Sequence, residues 1–265
     1  MPLTFAHPAA ALPLARPLGR YGLPSALVIG SLAPDAAYFL ELGVPRSTSH
    51  GFAGLFLFCL PVGLALYALF HLLLKHPLTA LLPEALQARI APALGAVGRL
   101  PDAPFSAVAV SLRAGAATHL AWDSFTHLSS PLVQSSPALR AYLGSLFGYP
   151  VLVCKLLQHA STGAGLALLV LWSWRRLRAP ADPAALPRPR LPFALRGALL
   201  AGLLALSASA ALAAAAPALE DAVNVWTLRR FLGRAVTAGV SSLALSLVTF
   251  GLLWHAQARA LRLRP

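Results

Sequence analysis

Long runs of apolar residues, separated by short polar stretches, dominate this chain of 265 residues. A helix of about 20 apolar residues crosses the roughly 30 Å hydrocarbon core of a bilayer. Three runs of this length are nearly free of ionisable side chains, namely 51–74, 192–216 and 237–256. Three more are apolar but interrupted by ionisable residues, namely 22–40, 104–125 and 147–174. The pattern predicts an all-α fold: a polytopic integral membrane helical bundle of five or six spans, the number depending on whether 22–40 crosses.

Composition supports lipid as the solvent of this chain. Hydrophobic residues make up 58% of the sequence, charged residues 11%, and the mean hydropathy is +0.71, whereas a soluble domain carries about a quarter charged residues. The net charge of +13 does not indicate a nucleic-acid partner, because the basic residues cluster at helix ends and do not line one face with aromatic residues. The membrane lipid bilayer is therefore the predicted partner, and no nucleic acid is expected.

The distribution of basic residues also predicts orientation and domains. Lys and Arg concentrate in 75–103, in 175–190 and in the C-terminal tail, which places these segments, with the basic C-terminus, on the cytoplasmic side of a bacterial inner membrane. The Pro/Arg-rich stretch 179–191 cannot continue a helix. We expect it to be a cytoplasmic linker between a membrane-embedded metal-site domain, 1–178, and a C-terminal two-helix membrane hairpin with a basic tail, 192–265.

The stretch THLAWDSFTH carries three side chains that can bind metal, His119, Asp123 and His127, at a spacing of four. In a helix this spacing puts them on one face, each about 6 Å further along the axis. The two histidines are too far apart to share one ion, but each can share an ion with the aspartate between them. Asp123 therefore suits a bridge between two metals about 3.5–4 Å apart. A solvated polar stripe or a proton path is the alternative.

Other ionisable side chains lie within the apolar runs or close to their ends. At membrane depth such a group costs on the order of 2.5–3.5 kcal/mol on insertion scales, which makes it a functional candidate. On the predicted topology most of them lie near the outer membrane face, and His7 can join them only if 22–40 does not fully cross. The candidates are His7, Asp35, His50, His119, Asp123, His127, Lys155 and His159.

Several of these residues have a simpler interpretation. Asp35 follows Pro34 and could cap a helix or pair with Arg46, and His50 could be an interfacial residue. Lys155 could neutralise Asp123, hold a substrate phosphate, or extend its amine to the membrane surface as long basic side chains do. Histidine and carboxylate ligands without a thiolate favour zinc, manganese, iron or nickel.

The order of these residues resembles known families. The segments SALVIGSLAPDAAYFL, SHGFAGLFLF, THLAWDSFTH and KLLQHAST resemble a bacterial membrane family catalogued as domain of unknown function 4184. They are also similar to membrane-bound metal-dependent hydrolases and, more distantly, to zinc-dependent phospholipase C and the single-strand nucleases. In that last group the order His, Asp, His, HxxxD, His, His holds zinc. The resemblance implies as ligands His7, Asp35, His50, His119, Asp123, His127 and His159.

The sequence departs from the phospholipase group at two positions. That group uses an N-terminal tryptophan and a glutamate four residues after the last histidine, where this chain has Met1 and Gly163. We therefore expect two divalent ions, zinc first, with manganese or iron as alternatives. The predicted activity is hydrolysis of an ester or phosphodiester of a lipid or envelope substrate at the extracytoplasmic face, with Asp123 and Lys155 catalytic. A transporter or channel for metal or protons, and a purely structural membrane module, remain alternatives.

Overall fold

The computed structural model describes residues 4–40, 42–178, 180–181, 190–219 and 224–262, and most of them are helical. Short 3₁₀ turns and two π-helical stretches, Leu55–Cys59 and Phe70–Leu74, join or extend the α-helices. In chain order the α-helices are α1 (Pro8–Ala11), α2 (Pro24–Leu32), α3 (Ala36–Phe39), α4 (Arg46–Ser49), α5 (Leu60–Leu69), α6 (Lys75–Ala80), α7 (Glu84–Ile90), α8 (Phe105–Thr126), α9 (Pro131–Ser135), α10 (Pro137–Arg140), α11 (Val153–Arg176), α12 (Phe193–Ala215) and α13 (Val225–Arg262).

Four helices in the described residues are long and apolar enough to cross a membrane: Leu55–Ala80, Val153–Arg176, Phe193–Leu219 and Val225–Ala260. They fall on four of the six predicted runs. Run 22–40 is instead divided into α2, a 3₁₀ turn and α3. Run 104–125 forms α8, whose ionisable side chains make it less apolar than the four candidate spans. Four candidate spans are therefore established, and a count of five or six stays a prediction.

The chain folds into two compact units. The first contains residues 1–67 and 103–172, and the second contains 68–102 and 173–265. All the candidate ionisable residues belong to the first unit. Most of the predicted linker 179–191 lies outside the described residues.

The first unit is built around a close contact between α2 and α8. A Cβ atom on Gly30 would lie 2.1 Å from the carbonyl oxygen of Leu112, and one on Gly115 would lie 2.2 Å from the carbonyl oxygen of Leu27. Neither position can accept a side chain without separating the helices. Small residues allow helix backbones to approach in this way, and here they bring α2 directly against α8.

One face of α8 is buried along its whole length. Val108, Leu112 and Ala116 supply the apolar part of this face, and His119 and Asp123 continue it at spacings of three and four residues. Such spacings keep side chains on one side of a helix. The face that packs into the core therefore carries the ionisable groups inward at its C-terminal end.

A β-hairpin precedes α11 and was not anticipated in the predicted all-α fold. Strand β1 (Tyr142–Leu146) pairs antiparallel with β2 (Tyr149–Leu152). The turn uses positive φ angles at Phe147 (51°) and Gly148 (78°), as tight hairpin turns require. In the sequence, β2 and the following helix form one apolar run, and a short apolar segment does not distinguish a strand from a helix end.

The second unit contains α12 packed on α13, with a core that includes Leu81, Leu203 and Trp254. Arg196 of α12 is buried and donates to the carbonyl oxygen of Leu82 at 2.9 Å. The same guanidinium lies 3.3 Å from the carboxylate of Glu84. These contacts satisfy a cation that would otherwise be costly in an apolar helix.

Candidate metal centre

Six ionisable side chains meet in the interior of the first unit. The ligand atoms of His7, His119 and Asp123 all lie within 4.8 Å of one another, and those of Asp35, His50 and His119 do so as well. His119 thus belongs to both groups. The imidazoles of His7 and His119 are stacked, with ring centroids 3.7 Å apart. The His/Asp cluster, as we call it below, consists of His7, Asp35, His50, His119, Asp123 and His127.

Three of these residues lie at the ends of short helical segments. His7 directly precedes α1, which begins at Pro8, a residue suited to the first position of a helix. Asp35 ends the 3₁₀ turn Ala33–Asp35 and forms no capping hydrogen bond with its side chain. His50 ends α4. Each of the three lies at the junction or end of a short helical segment, and each side chain reaches a residue at the end of α8.

The end of α8 supplies the other three members. His119 and Asp123 are buried on its last turns, and the helix ends at Thr126. His127 follows with an extended backbone, φ −97° and ψ 126°, although its N–H still donates to the carbonyl oxygen of Asp123 at 3.0 Å. The predicted spacing of four thus holds for His119 and Asp123 within the helix, and His127 is reached just after it.

Asp123 lies at the centre of the cluster, and its two oxygens face different histidines. Oδ1 is 3.6 Å from Nε2 of His7 and 3.2 Å from Nδ1 of His127. Oδ2 is 3.5 Å from Nε2 of His119 and 3.6 Å from Nε2 of His50. A carboxylate placed in this way can serve two ions at once.

Asp35 completes the arrangement on one side. Its Oδ1 lies 3.2 Å from Nε2 of His50 and 3.8 Å from Nε2 of His119. Ligand atoms bound at about 2.0–2.1 Å to one tetrahedral ion are roughly 3.3 Å apart. The separations within the cluster are close to that spacing.

Several polar atoms of the cluster are buried without a hydrogen-bond partner. They are both ring nitrogens of His7, Nε2 of His50, Nε2 of His119 and Oδ1 of Asp123. A buried polar atom left unsatisfied costs about 1–3 kcal/mol, so a group of them in one place calls for a ligand. Each neutral imidazole offers one nitrogen lone pair and Asp123 offers its carboxylate oxygen, so a cation is the ligand that fits this group of atoms.

Neighbouring groups hold the histidines in the required orientation. Nδ1 of His119 lies 2.7 Å from the carbonyl oxygen of Ser31. A carbonyl can only accept, so Nδ1 carries the proton and Nε2 is left as the ligand atom. Nδ1 of His50 lies 2.8 Å from the hydroxyl of Ser49, which likewise turns Nε2 toward the cluster. Such contacts from the other ring nitrogen are usual for metal-binding histidines.

The protonation states also suit metal binding. Burial, together with the neighbouring His119, lowers the pKa of His7 to about 4. Burial alone would raise the pKa of Asp35, but its contacts with His50, His119 and Thr4 prevail and lower it to about 2. At neutral pH the imidazole of His7 is therefore neutral and the carboxylate of Asp35 is ionised, the forms that bind cations.

Arg46 is a member of the site that the sequence analysis missed. Its Nη2 lies 2.6 Å from Oδ2 of Asp123, and its Nη1 donates to the hydroxyl of Tyr38 at 3.2 Å. The interpretation that Arg46 pairs with Asp35 is wrong: the arginine pairs with Asp123. Its position four residues before His50 was the available signal, since residues at that spacing lie on one helix face.

His159 and Lys155 are not brought into the cluster. The side chain of His159 is exposed on α11, and the amine of Lys155 donates to Oε1 of Gln158 at 2.7 Å. In the described part of the chain, neither residue belongs to the two groups of ligand atoms or lines the adjacent cavity. Their metal-binding and catalytic roles stay predictions.

A cavity of about 490 Å³ opens beside the cluster. It gives access to Asp123 from outside, so a small molecule can reach the site. The lining combines ionisable residues with hydroxyl groups, among them Arg46, His50, Asp123, His127, Ser47, Ser124, Ser129 and Ser130.

The fold and the site define a class: a helical protein with four candidate membrane helices and a buried His/Asp cluster beside a cavity. Within that class the chain belongs to the family described as Domain of unknown function (DUF4184), whose sequence profile matches residues 1–252. No curated protein and no solved structure matches the chain. Because the family carries no assigned activity, the chemistry has to be argued from the cluster itself.

Proposed function

We propose that this protein is a membrane-bound, metal-dependent hydrolase. The observation that carries the proposal is the group of buried, unpartnered nitrogen and oxygen atoms that face one another around Asp123. A cation bound there would satisfy one nitrogen of each of these histidines together with Oδ1 of Asp123. The cavity beside them provides the space for a substrate.

The donor set indicates which cation fits. Imidazole nitrogens and carboxylate oxygens without thiolate suit zinc, with manganese and iron as alternatives. The division of the Asp123 oxygens between two pairs of histidines supports two ions bridged by this carboxylate. When bound, such ions lower the pKa of a water molecule and stabilise negative charge on a reacting ester.

The residues of the chain have distinct tasks in hydrolysis. The histidines and Asp35 would hold the ions, Asp123 would be shared between them, and the carbonyl oxygen of Ser31 fixes the ring of His119. In the reaction, the oxygen of water forms a bond to the phosphorus or acyl carbon while the bond to the ester oxygen breaks. The leaving oxygen keeps the bonding electrons and takes the proton that the water gives up.

The surroundings indicate the substrate. The four apolar helices support a position in the membrane. The distribution of basic residues along the sequence favours a site near the extracytoplasmic face of a bacterial inner membrane. An ester or phosphodiester of a lipid or an envelope polymer would reach a cavity in that position. We therefore place lipid and envelope phosphoesters first among the substrates.

Metal analysis of the detergent-purified protein tests the proposal. We expect about two transition-metal ions per chain in the wild type, and less than half of that content in His119→Ala and Asp123→Asn. His255→Ala, which changes a histidine of the second unit, is the matched control and should keep its metal. His159→Ala should keep it too, because that side chain lies outside the cluster. A wild-type protein without stoichiometric metal would contradict the proposal.

Activity separates a hydrolase from a transporter that uses the same side chains. The metal-loaded protein should cleave a phosphodiester such as bis(4-nitrophenyl) phosphate, or phospholipid in mixed micelles, and a chelator should abolish cleavage. Metal flux into proteoliposomes without any cleavage would favour the transporter instead.

A further inference from the structure

We propose that Arg46 is the anion-binding residue of this site and that it selects substrates carrying a phosphate or phosphoester group. This inference rests on the proposed function, because it concerns the state in which the cluster holds metal. It adds the residue that recognises the non-reacting charge of the substrate.

The position of Arg46 in the cavity supports this inference. Arg46 lines the same cavity as Asp123, and its side chain is 31% exposed while that of Asp123 is 6% exposed. The guanidinium thus lies between the buried carboxylate and the open space where a substrate would enter. The hydroxyl of Tyr38 accepts from Nη1 and holds the group there.

The partner of Arg46 is the second argument. Its Nη2 contacts Oδ2 of Asp123, the same oxygen that lies 3.5–3.6 Å from the ring nitrogens of His119 and His50. A cation bound by those histidines would compete for this oxygen. The guanidinium has five N–H donors in a planar fork, so metal binding leaves donors of Arg46 available to another oxygen anion in the cavity.

Charge is the third argument. The two carboxylates of the cluster carry two negative charges, Arg46 carries one positive charge, and the histidines bind metal as neutral rings. A single divalent ion therefore already makes the site positive, and a second ion increases that charge further. Among the described residues that line the cavity, Asp123 is the only acid. The lining also includes the hydroxyls of Ser47 and Ser129, whereas those of Ser124 and Ser130 donate to backbone carbonyl oxygens.

The planar guanidinium of Arg46 favours anions that can present two oxygen atoms to it. Arginine binds phosphate and carboxylate oxygens through two parallel hydrogen bonds. A tetrahedral phosphate or phosphodiester can present two oxygens to Arg46 and another to the metal. A neutral carboxylic ester offers no charge to the guanidinium, so the site favours phosphoesters over such esters.

Binding of inorganic phosphate to the metal-loaded protein, measured by calorimetry, tests this inference. Arg46→Ala should weaken phosphate binding by about tenfold or more, the effect of losing hydrogen bonds to a charged group, while the metal content stays at the wild-type level. Arg46→Lys, which keeps the charge without the fork, should fall between the two. Arg113→Ala is the matched control, because Arg113 donates to the carbonyl oxygen of Ala109 on its own helix and does not line the cavity.

The possible failures are distinguishable. Unchanged phosphate affinity in Arg46→Ala would overturn the inference and leave the proposed function intact. Loss of metal in Arg46→Ala in parallel with phosphate would also overturn it, because the arginine would then only orient Asp123. A wild type without metal contradicts the proposed function itself, and the metal assay detects this before any phosphate is added.

A second ligand separates two sources of the anion. Dihexanoyl phosphatidylglycerol carries the same phosphodiester anion on a lipid headgroup. Tighter binding of this lipid than of inorganic phosphate, lost in Arg46→Ala, assigns the site to lipid headgroups. Equal or weaker binding, again lost in Arg46→Ala, assigns it to free phosphoesters.

Discussion

His7 is a buried side chain whose unsatisfied polar atoms destabilise the metal-free fold and would favour binding of a cation. Its ring is 2% exposed, neither nitrogen has a hydrogen-bond partner, and it stacks on His119. Without a cation, the residue contributes unsatisfied polar atoms to the core. Its low pKa is the measurable sign of that environment.

The stability of the metal-free protein should therefore depend on His7 at mildly acidic pH. Between pH 6.5 and about 4 the unfolded chain protonates this histidine while the folded chain does not, so stability falls as the pH falls through this window. The full shift corresponds to about 3 kcal/mol. Asp35 does not contribute there, because its stabilisation is lost only between pH 3.8 and about 2.

Thermal unfolding in chelator at a series of pH values measures this effect. The midpoint of the wild type should drop from pH 6.5 to pH 4, and this drop should be smaller in His7→Gln. His255→Gln, a histidine of the second unit, should behave like the wild type. The same pH dependence in His7→Gln and in the wild type would show that other groups control acid stability.

The crossing of α2 and α8 positions the cluster. Ser31 follows Gly30 on α2, and His119 lies one turn after Gly115 on α8. The hydrogen bond between Ser31 and His119 therefore depends on the two glycines that let the helices touch. A separation of even one ångström would break it.

Added methyl groups at this crossing should reduce metal content without removing any ligand. Gly30→Ala and Gly115→Ala would place a Cβ about 2 Å from a backbone carbonyl oxygen, closer than van der Waals contact permits. We expect each variant to keep less than half of the wild-type metal. Gly163→Ala has open space around its Cβ and is the control. Full metal content in both crossing variants would show that the helix contact is not needed for the site.

The cluster brings together segments of the first unit that are distant in the sequence. The residues of the cluster extend from residue 7 to residue 127, and residues of the second unit separate two parts of the first along the sequence. A metal ion that binds the folded unit but not the unfolded chain stabilises the folded unit, and the stabilisation increases with the concentration of free metal. Metal uptake and folding of this unit are then coupled.

Chelation should therefore lower the thermal unfolding midpoint of the purified protein, and added metal should restore it. Each tenfold increase in free metal above the dissociation constant should add about 1.4 kcal/mol per site. Asp123→Asn, which should hold less than half of the wild-type metal, is expected to show a smaller drop of the midpoint in chelator than the wild type. A drop as large as that of the wild type would place the stabilising ion elsewhere.

How much the sequence predicts depends on the range of the interaction. The apolar runs locate the long helices, because length and hydropathy alone specify them. The spacing of His119 and Asp123 specifies their shared face, because the helix period fixes it. The pairing of Arg46 with Asp123 was not predictable in this way, because it joins segments whose relative placement is set by packing.

Two local features limited the prediction as well. The β-hairpin was hidden within an apolar run, since its strands are too short to show a period. His159 was grouped with the ligands by topology and by a resemblance; its side chain is exposed on α11, and its metal-binding role stays a prediction.

His119 is oriented by the main-chain carbonyl of Ser31, which no substitution at position 31 can remove. The backbone path of α2, and not the side chain at position 31, therefore determines which ring nitrogen of His119 faces the cluster. In a mutational scan, small replacements of Ser31 would therefore pass almost unnoticed, while the neighbouring glycines would tolerate none.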